Sequence, residues 1–341
     1  SITVANDIQL TQKVTVNRNV TIDLGGNTLT YFTAEGTPKG SEAVFYFEGT
    51  SENAVTVTVR NGAIVFDVNN AAVGTMSTMF VQHATLNLTN VDVKTDKTGI
   101  FVAIATLNMT GGSVTAEGVY AIGTNASVKK EDGTALYGPA TINIKGTSGT
   151  PVTLTANGTY TSKNLNDGMG ICFNAGGTLS LDYVNVIGAR QGVMVRNGAA
   201  NISNSTITTK GACTVYGENL YWNGAWGSGS DVPMAALVIG DTAAGSYKGD
   251  AIVTLSNTQV IVAAGATDDT KYIYLWADTA DNTAARLIYA CDDAYMPALA
   301  AEDKIDCGNN AAEVTVEHDL GESIAEKSAT CTETGMSAHY V

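Results

Sequence analysis

The sequence predicts an all-β protein folded as a single-stranded parallel β-helix, and three observations support this fold class. A short pattern recurs along most of the chain, each copy holds two or three short apolar runs without helical periodicity, and Gly or Asn recurs at one place in the pattern. A repeat this short cannot bury its own apolar face, so copies must stack on one another.

The repeat is clearest around Leu88 and Met109, which lie 21 residues apart. Each of these anchor residues has Thr three residues before it, an apolar residue two before it, Asn or Gly two after it and Val five after it. The anchor recurs at Leu24, Val59, Leu88, Met109, Ile144, Leu181, Ile202 and Leu255. One register fits every copy except that of Ile144, where Gly149 stands at the place of the later apolar residue.

Stacked coils lie roughly 4.8 Å apart, so each position of the repeat becomes a column along the solenoid. We expect the apolar positions before and after the anchor to face inward. A second apolar run between anchors is also assigned to the interior: Met79-Phe80-Val81, Ile100-Phe101-Val102, Val119 to Ile122, Ile171-Cys172-Phe173, Val193-Met194-Val195 and Leu237-Val238-Ile239.

Two further columns carry polar or small residues. The position three before the anchor is predicted to form an outward Thr ladder of Thr21, Thr56, Thr85, Thr106, Thr141 and Thr178. The position two after the anchor holds residues that tolerate a left-handed corner: Gly26, Asn61, Asn90, Gly111, Gly146, Asn204 and Asn257.

This pattern, together with the opening VTIDLGGNTL of residues 20–29, resembles the right-handed parallel β-helix proteins of the pectate-lyase-like class. The resemblance covers roughly Val14 to Val262. It implies a right-handed β-helix of the kind found in bacterial secreted and surface proteins. The class contains polysaccharide lyases, hydrolases, adhesins and proteins of no known activity, so the fold does not decide the function.

Residues 1–310 are predicted to form one β-helix domain with an N-terminal cap, inserted loops and a C-terminal cap. The cap at the start covers Ser1 to Lys13, and the inserted loops are residues 32–42, 124–139, 157–168 and 210–233. After Val262 we expect two strands, at 272–276 and 287–289, and a short helix within 294–303. Residues 311–341, with Cys331, resemble the start of a Cys-containing repeat of Gram-positive surface proteins, and we expect the natural chain to continue past Val341.

The amino-acid composition disfavours some classes of binding partner and favours an extracellular location. The formal charge of −15 disfavours nucleic acid and anionic membranes as partners. The 36 Gly and the low charged fraction of 15% are typical of a turn-rich extracellular β protein. No apolar run approaches the roughly 20 residues that span a bilayer. We therefore expect a secreted or cell-wall-associated protein without membrane insertion, and its oligomeric state stays open.

The five cysteines give no zinc-type spacing. Cys172 lies in an apolar run and is interpreted as a small buried residue. Cys291 and Cys307 are 16 residues apart and could close a disulfide loop, and this pairing stays open.

The longest insertion, residues 210–233, carries the candidate ligand-binding residues. They are Tyr216, Tyr221, Trp222, Asn223 and Trp226. Aromatic rings beside amides and hydroxyls suit a sugar, because the apolar face of a pyranose stacks on a ring while polar groups bind its hydroxyls. The alternative is that these rings fold back as a lid on the side of the solenoid.

Catalytic residues are not predicted. The columns on either side of the anchor hold one carboxylate each, Asp23 and Asp182, several coils apart. A paired-carboxylate hydrolase needs them roughly 5 to 9.5 Å apart. The best remaining cluster is Asp182 with Arg190, Arg196 and Lys145, for which a surface ion pair of Lys145 and Asp182 is the favoured interpretation.

These observations together predict a non-catalytic extracellular or cell-surface β-helix that presents loops for glycan binding or adhesion. The expected partner is a polysaccharide or a host or cell-surface glycan, and no cofactor or metal is expected. One alternative is a polysaccharide lyase that acts on acidic polysaccharide with Ca²⁺. The other is a purely structural surface stalk.

Overall fold

The structure is a computed structural model, and it describes residues 1–33, 44–68, 77–96, 98–125, 138–158, 168–211, 215–216, 219–220, 233–240, 249–277, 284–309, 311–318, 323–324 and 339–340. The predicted insertions lie mostly outside these described residues.

Nearly all regular elements are strands. In chain order they are β1 (Ile2–Thr3), β2 (Ile8–Leu10), β3 (Val14–Val16), β4 (Val20–Asp23), β5 (Thr28–Thr33), β6 (Phe45–Glu48), β7 (Val55–Val68), β8 (Ser77–Gln82), β9 (Ala84–Thr95), β10 (Thr98–Ala103), β11 (Thr106–Ala116), β12 (Tyr120–Gly123), β13 (Ala140–Lys145), β14 (Val152–Ala156), β15 (Met169–Phe173), β16 (Gly177–Asp182), β17 (Val184–Gly188), β18 (Gln191–Val195), β19 (Gly198–Ser203), β20 (Thr206–Thr209), β21 (Val215–Tyr216), β22 (Asn219–Leu220), β23 (Ala235–Gly240), β24 (Ala251–Ser256), β25 (Gln259–Val262), β26 (Lys271–Trp276), β27 (Ala285–Ala290), the helix α1 (Met296–Ala301), β28 (Ile305–Cys307), β29 (Ala312–Glu317), β30 (Ser323–Ile324) and β31 (His339–Tyr340).

The strands form three parallel faces, which confirms the parallel β-helix. Face 1 contains β4, β13, β16, β19, β24 and the first halves of β7, β9 and β11. Face 2 contains β5, β14, β17, β20, β25 and the second halves of the same three long strands, which bend through the corner between the two faces. Face 3 is a separate sheet that runs from β3 through β6, β8, β10, β12, β15, β18, β23 and β26 to β28.

Within the described residues these strands make ten successive coils. Coil 1 consists of β1 to β3, coil 2 of β4 to β6, coil 3 of β7 and β8, coil 4 of β9 and β10, and coil 5 of β11 and β12. Coil 6 consists of β13 to β15, coil 7 of β16 to β18, coil 8 of β19, β20 and β23, coil 9 of β24 to β26, and coil 10 of β27, α1 and β28.

The predicted anchor column is confirmed from Val59 to Leu255, because each anchor pairs with the next on face 1. The first anchor is wrong by two residues, since Ile22 and not Leu24 pairs with Val59. Leu24 is nevertheless fully buried. It lies at the corner between faces 1 and 2, where coil 2 is two residues longer than coil 3. The next pair after this corner is Leu29 with Ile64, in normal register.

The Thr ladder is confirmed from Thr56 to Thr178, whereas Thr21 pairs with Thr58 and lies outside that column. In the repeat copy of Ile144, Leu154 takes the place of the later apolar residue on face 2. It pairs with Val114 on one side and with Val186 on the other. A longer corner after Ile144 therefore precedes a strand in normal register.

The corner between faces 1 and 2 has the left-handed backbone that the Gly and Asn column predicts. Asn61, Asn90, Gly111, Asn204 and Asn257 all have φ between 48° and 68°. Gly146 is an exception, because it does not have a positive φ and opens the longer corner instead. In coil 7 the corner residue is Tyr183, with φ of 55°, a conformation that bulky residues rarely adopt.

The sequence pattern predicts that the whole second apolar run faces the interior. This prediction is wrong, because the middle residues of the run face outward. In the five three-residue runs the first and third residues face the core, as do Ile100 and Val102, which are fully buried in the main hydrophobic cluster. In the run from Val119 to Ile122, Val119 lies in a second cluster instead. The middle residue faces outward, because successive side chains of a strand alternate between the two faces of a sheet. Cys172, Met194 and Val238 belong accordingly to a second cluster, outside face 3.

Both ends of the solenoid contain more coil than predicted. Residues 2–16 pair with coil 2 through all three of their strands, so the N-terminal segment is itself a coil. At the other end β27 and β29 continue face 1, with Tyr289 and Val316 in the anchor column. Strand β29 lies past residue 310, where the sequence placed the end of the solenoid. The helix α1 falls inside the predicted range.

Two further observations complete the fold. Cys291 and Cys307 are both free and exposed, so the possible disulfide between them is not formed. Within the described residues, no helix has both the length and the apolar character required to cross a bilayer.

Candidate functional site

The residues predicted to bind a ligand fall almost entirely outside the described residues. Tyr216 lies in β21, which pairs antiparallel with β22. The Tyr216 side chain is outside the described part of the structure, and so are Tyr221, Trp222, Asn223 and Trp226. Their role in binding therefore stays a prediction.

The two carboxylates considered for catalysis lie in one column of face 1. The two-residue shift in coil 2 places Asp23 beside Arg60, and the same column continues through Lys145 to Asp182. Five strand spacings separate the two carboxylates, which is about 24 Å. This distance is far greater than a pair of glycosidase carboxylates requires.

Both carboxylates form hydrogen bonds and ion pairs with neighbouring side chains. Asp182 accepts hydrogen bonds from Asn204 Nδ2 at 2.9 Å and from Ser203 Oγ at 3.1 Å, and it pairs with Lys145 Nζ at 3.2 Å. The Asn204 bond, with smaller contributions from Lys145 and Ser203, holds the pKa of Asp182 below its ordinary value. Asp23 is bound by Arg60 Nε at 2.8 Å and by Asn61 Nδ2 at 3.2 Å. The predicted Lys145–Asp182 surface ion pair is confirmed.

The two arginines proposed to join Asp182 lie elsewhere. Arg190 and Arg196 are both almost fully buried, and they flank strand β18 of face 3, whereas Asp182 ends a strand of face 1. Burial raises the pKa of the Cys172 thiol. The positive charge of Arg196 lies close enough to Cys172 to lower the pKa of its thiol, but it opposes the increase only in part.

The most distinctive surface feature is the outward column of face 3. In its N-terminal half this column holds an aromatic ladder, which we define as Tyr46, Phe80, Phe101 and Tyr120. The ring centroids are 5.8 Å apart from Tyr46 to Phe80, 5.4 Å from Phe80 to Phe101, and 6.5 Å from Phe101 to Tyr120. All four side chains are half-buried.

The pairing of the strands explains how these rings meet. Tyr46 pairs with Phe80 and Phe80 with Phe101, so three rings occupy one column of adjacent coils. The next residue in the column is Gly123, and a Cβ there would lie only 2.4 Å from the ring of Tyr120. Because Gly123 has no side chain, the Tyr120 ring fills the place and extends the ladder by one coil.

Farther along, the same outward column is apolar but closed to solvent. Cys172, Met194, Val238 and Tyr274 are at most 8% exposed. Asn174 is also buried there and donates from Nδ2 to Cys172 Sγ at 3.1 Å. In coils 2 to 9, the accessible part of the described outward column is therefore the aromatic ladder.

The sequence contained the signal for this ladder, although the sequence analysis assigned its residues to the interior. Three consecutive residues of a strand cannot all point inward, and Phe80 and Phe101 are the middle residues of their runs. Applying the alternation strictly would have placed both rings on the outer surface.

Two smaller features lie near the ends of the molecule. A polar groove beside residues 17–19 and 48–55 marks the N-terminal end, and a cleft between β25 and α1 marks the C-terminal end. Among the described residues, no group of three or more His, Cys, Asp or Glu side chains is arranged to hold a metal ion.

Comparisons with known proteins give little further information. No family model matches the chain, and no curated protein matches it. The solved structure of the L. reuteri 53608 SRRP is similar over 93% of this chain and 92% of its own, with 12% identity and a TM-score of 0.29. The A-module of the Azotobacter vinelandii mannuronan C-5 epimerase AlgE6 matches 92% of this chain and 88% of its own, with 10% identity and a TM-score of 0.30. At such low similarity, the function must be argued from the residues of this chain.

Proposed function

We propose that this protein is a non-catalytic extracellular or cell-surface β-helix that binds glycans. The observation that carries the proposal is the half-buried aromatic ladder on the outside of face 3. The loop residues Tyr216, Tyr221, Trp222, Asn223 and Trp226 are proposed as a second contact for the same glycan.

The geometry of the ladder suits a sugar chain. The Phe80 and Phe101 rings are nearly parallel, at 5°, with centroids 5.4 Å apart. Parallel aromatic pairs prefer an offset arrangement, in which each ring covers only part of its neighbour. The Tyr46 and Tyr120 rings are tilted at the two ends of this pair, by 48° and 36°. A pyranose offers an apolar face to such rings, and its hydroxyls remain hydrated.

The backbone under the ladder favours binding because it is already ordered. Phe80 and Phe101 stand on strands that are hydrogen-bonded on both sides, and their neighbours Met79 and Ile100 are fully buried in the core. Binding therefore costs little conformational entropy, because the site is already ordered before the ligand arrives.

The surroundings of the carboxylates favour binding over catalysis. Asp23 and Asp182 each use their oxygens for several hydrogen bonds and one ion pair, and the lowered pKa of each keeps it ionised. A general acid must carry a proton at the working pH, which requires a raised pKa. These two groups therefore stabilise corners of the solenoid.

The test is a glycan array probed with the wild type and with the double variant Phe80→Leu/Phe101→Leu. Leucine keeps an apolar side chain on the strand but removes the ring, so binding should be lost while the melting temperature changes little. The variant Trp222→Ala/Trp226→Ala is tested beside it to measure the contribution of the loop. Lys145→Met, on face 1, is the matched surface control and should bind as the wild type does.

The possible outcomes separate the parts of the proposal. Loss of signal in the Phe80/Phe101 variant alone assigns binding to the ladder, and loss in the Trp222/Trp226 variant alone assigns it to the loop. Full binding by both variants would exclude both surfaces. No signal from the wild type on neutral or acidic polysaccharides would overturn glycan binding itself.

A further inference from the structure

The C-terminal end of the solenoid holds a second surface with the features of a small-molecule site. A cleft of about 350 Å³ lies between strand β25 and helix α1. This volume is within the range of sites that bind small ligands. Tyr272 and Tyr295 line it, Val260 and Leu299 add apolar residues, and Glu302 and Lys304 add charged residues.

The cleft exists because a helix takes the place of a strand. In coils 2 to 9 each coil contributes a strand to face 2, but coil 10 contributes α1 between its face 1 and face 3 strands. Strand β25 therefore pairs with β20 on one side only, and no described strand pairs with its other edge. Within the described residues no strand uses the backbone N–H and C=O groups of that edge, and such groups suit the hydroxyls of a ligand.

The helix is fixed in position, so the cleft is already formed. Asp293 Oδ1 accepts hydrogen bonds from the backbone N–H groups of Tyr295 at 2.8 Å and Met296 at 3.0 Å. Its Oδ2 accepts from the Asn257 N–H at 2.6 Å, which joins the start of the helix to the corner before β25. Met296 is fully buried and Leu299 is 8% exposed, so the inner face of the helix packs on the core.

The charged groups of the cleft are paired but not enclosed. Lys304 Nζ forms an ion pair with Glu302 Oε2 and lies 4.7 Å from the centroid of the Tyr272 ring. The side chains of Lys304 and Glu302 keep 33% and 57% of their exposure, and Tyr295 is 38% exposed. Each group therefore retains donors or acceptors that a ligand can reach.

From these contacts we propose that the cleft binds a single neutral pyranose unit, such as the end of a glycan chain. One face of the sugar stacks on the exposed ring of Tyr295, and its hydroxyls contact Glu302, Lys304 and the open edge of β25. A carboxylate-bearing sugar would compete with Glu302 for Lys304, and a cationic ligand would compete with Lys304 for Glu302. The pairing of these two charges thus favours an uncharged ligand.

This site is separate from the aromatic ladder. The ladder occupies coils 2 to 5 of face 3, and the cleft lies at coils 9 and 10 beside face 2. The inference therefore does not depend on the ladder, and each site can be tested while the other is intact.

The experiment uses the whole protein and methyl glycosides of glucose, galactose, mannose and N-acetylglucosamine, with methyl galacturonide as the charged counterpart. Saturation-transfer NMR detects which glycoside binds, and titration gives its Kd, expected on the order of 1 mM for one sugar unit. Tyr295→Ala should weaken binding at least about tenfold, which corresponds to the 1.4 kcal/mol of one lost ring contact.

A second variant and a control guard against misfolding. Ala298→Leu keeps a strong helix former on α1 and fills the cleft, so it should abolish binding without lowering the melting temperature. Lys145→Met, on face 1 and outside both binding surfaces, is the matched control and should leave the monosaccharide Kd unchanged. Three results would overturn the proposal: no transfer to any neutral glycoside, tighter binding of the uronide, or full binding by both cleft variants.

Discussion

Replacing Asn108 with alanine tests how outward amides stabilise the stacking of coils. On face 1, the position before the anchor forms a chain of side-chain hydrogen bonds. Asn143 Nδ2 donates to Asn108 Oδ1 at 2.9 Å, Asn108 Nδ2 donates to Asn87 Oδ1 at 2.9 Å, and Asn87 Nδ2 donates to Thr58 Oγ1 at 3.3 Å. Asn108 is in the middle, with one bond to the coil on each side.

The expected cost follows from these two bonds. An intramolecular hydrogen bond contributes about 0.5 to 1.5 kcal/mol net, and Asn108→Ala removes two. Water reaches the half-buried amide of Asn87 and the exposed amide of Asn143 after the change, so the lower part of the range applies. We expect a loss of about 1 to 2 kcal/mol. With about 2.1 cal/mol/K of unfolding entropy per residue, this lowers Tm by about 1.5 to 3 °C if the solenoid unfolds cooperatively.

Asn143→Ala is the matched control, because it removes only the bond to Asn108. It should cost about half as much in the free energy of unfolding, measured by urea denaturation. Hydrogen exchange adds a local measurement, since each coil contacts only its neighbours. The amides of Leu107 and Met109 should exchange faster in the Asn108 variant, and those of coil 9 should not. Equal losses in the two variants, or no loss in either, would refute the proposed role of the amide chain.

Two other predictions concern single residues. Tyr183→Asn should raise the free energy of unfolding by about 1 kcal/mol in urea denaturation, because Asn tolerates the left-handed backbone that Tyr183 adopts and a bulky residue does not; an unchanged or lower value would show that the Tyr183 side chain contributes more than its backbone costs. The lowered pKa of Asp182 means that its contribution to stability is present above the ordinary Asp range of about 4 and is lost as the pH falls through the lowered value. Asp182→Asn should therefore be less stable than the wild type at neutral pH and lose less stability on acidification, and parallel pH profiles of the urea midpoint would contradict this.

The register of the solenoid could be predicted because parallel, in-register stacking repeats one residue type in one place. This worked from Val59 to Leu255, where every predicted anchor pair is found. It failed in coil 2 for a physical reason. Ile22 and Leu24 are both apolar and two residues apart, and a strand pattern with a period of two cannot distinguish them.

Other features depend on properties that composition does not reveal. The left-handed conformation of Tyr183 carries no sequence signal, because the stack imposes it on a residue that disfavours it. The normal backbone of Gly146 is equally unpredictable, since glycine adopts either sign of φ. The cleft was also beyond prediction. A helix within residues 294–303 was expected, but its position against the open edge of β25 follows only from counting the strands of each face.

The nearest-neighbour character of a solenoid explains why binding surfaces on its outside can be independent of one another. Each coil contributes inward residues to a continuous core and outward residues to separate columns, and the energetic link between distant coils passes only through the coils between them. The aromatic ladder ends in coil 5 and the cleft begins in coil 9, about 20 Å farther along at the ordinary strand spacing. Removing the Phe80 and Phe101 rings therefore leaves the contacts of Asp293 that position α1 unchanged. For the same reason, filling the cleft at Ala298 leaves the ladder intact, so each set of variants changes one surface only.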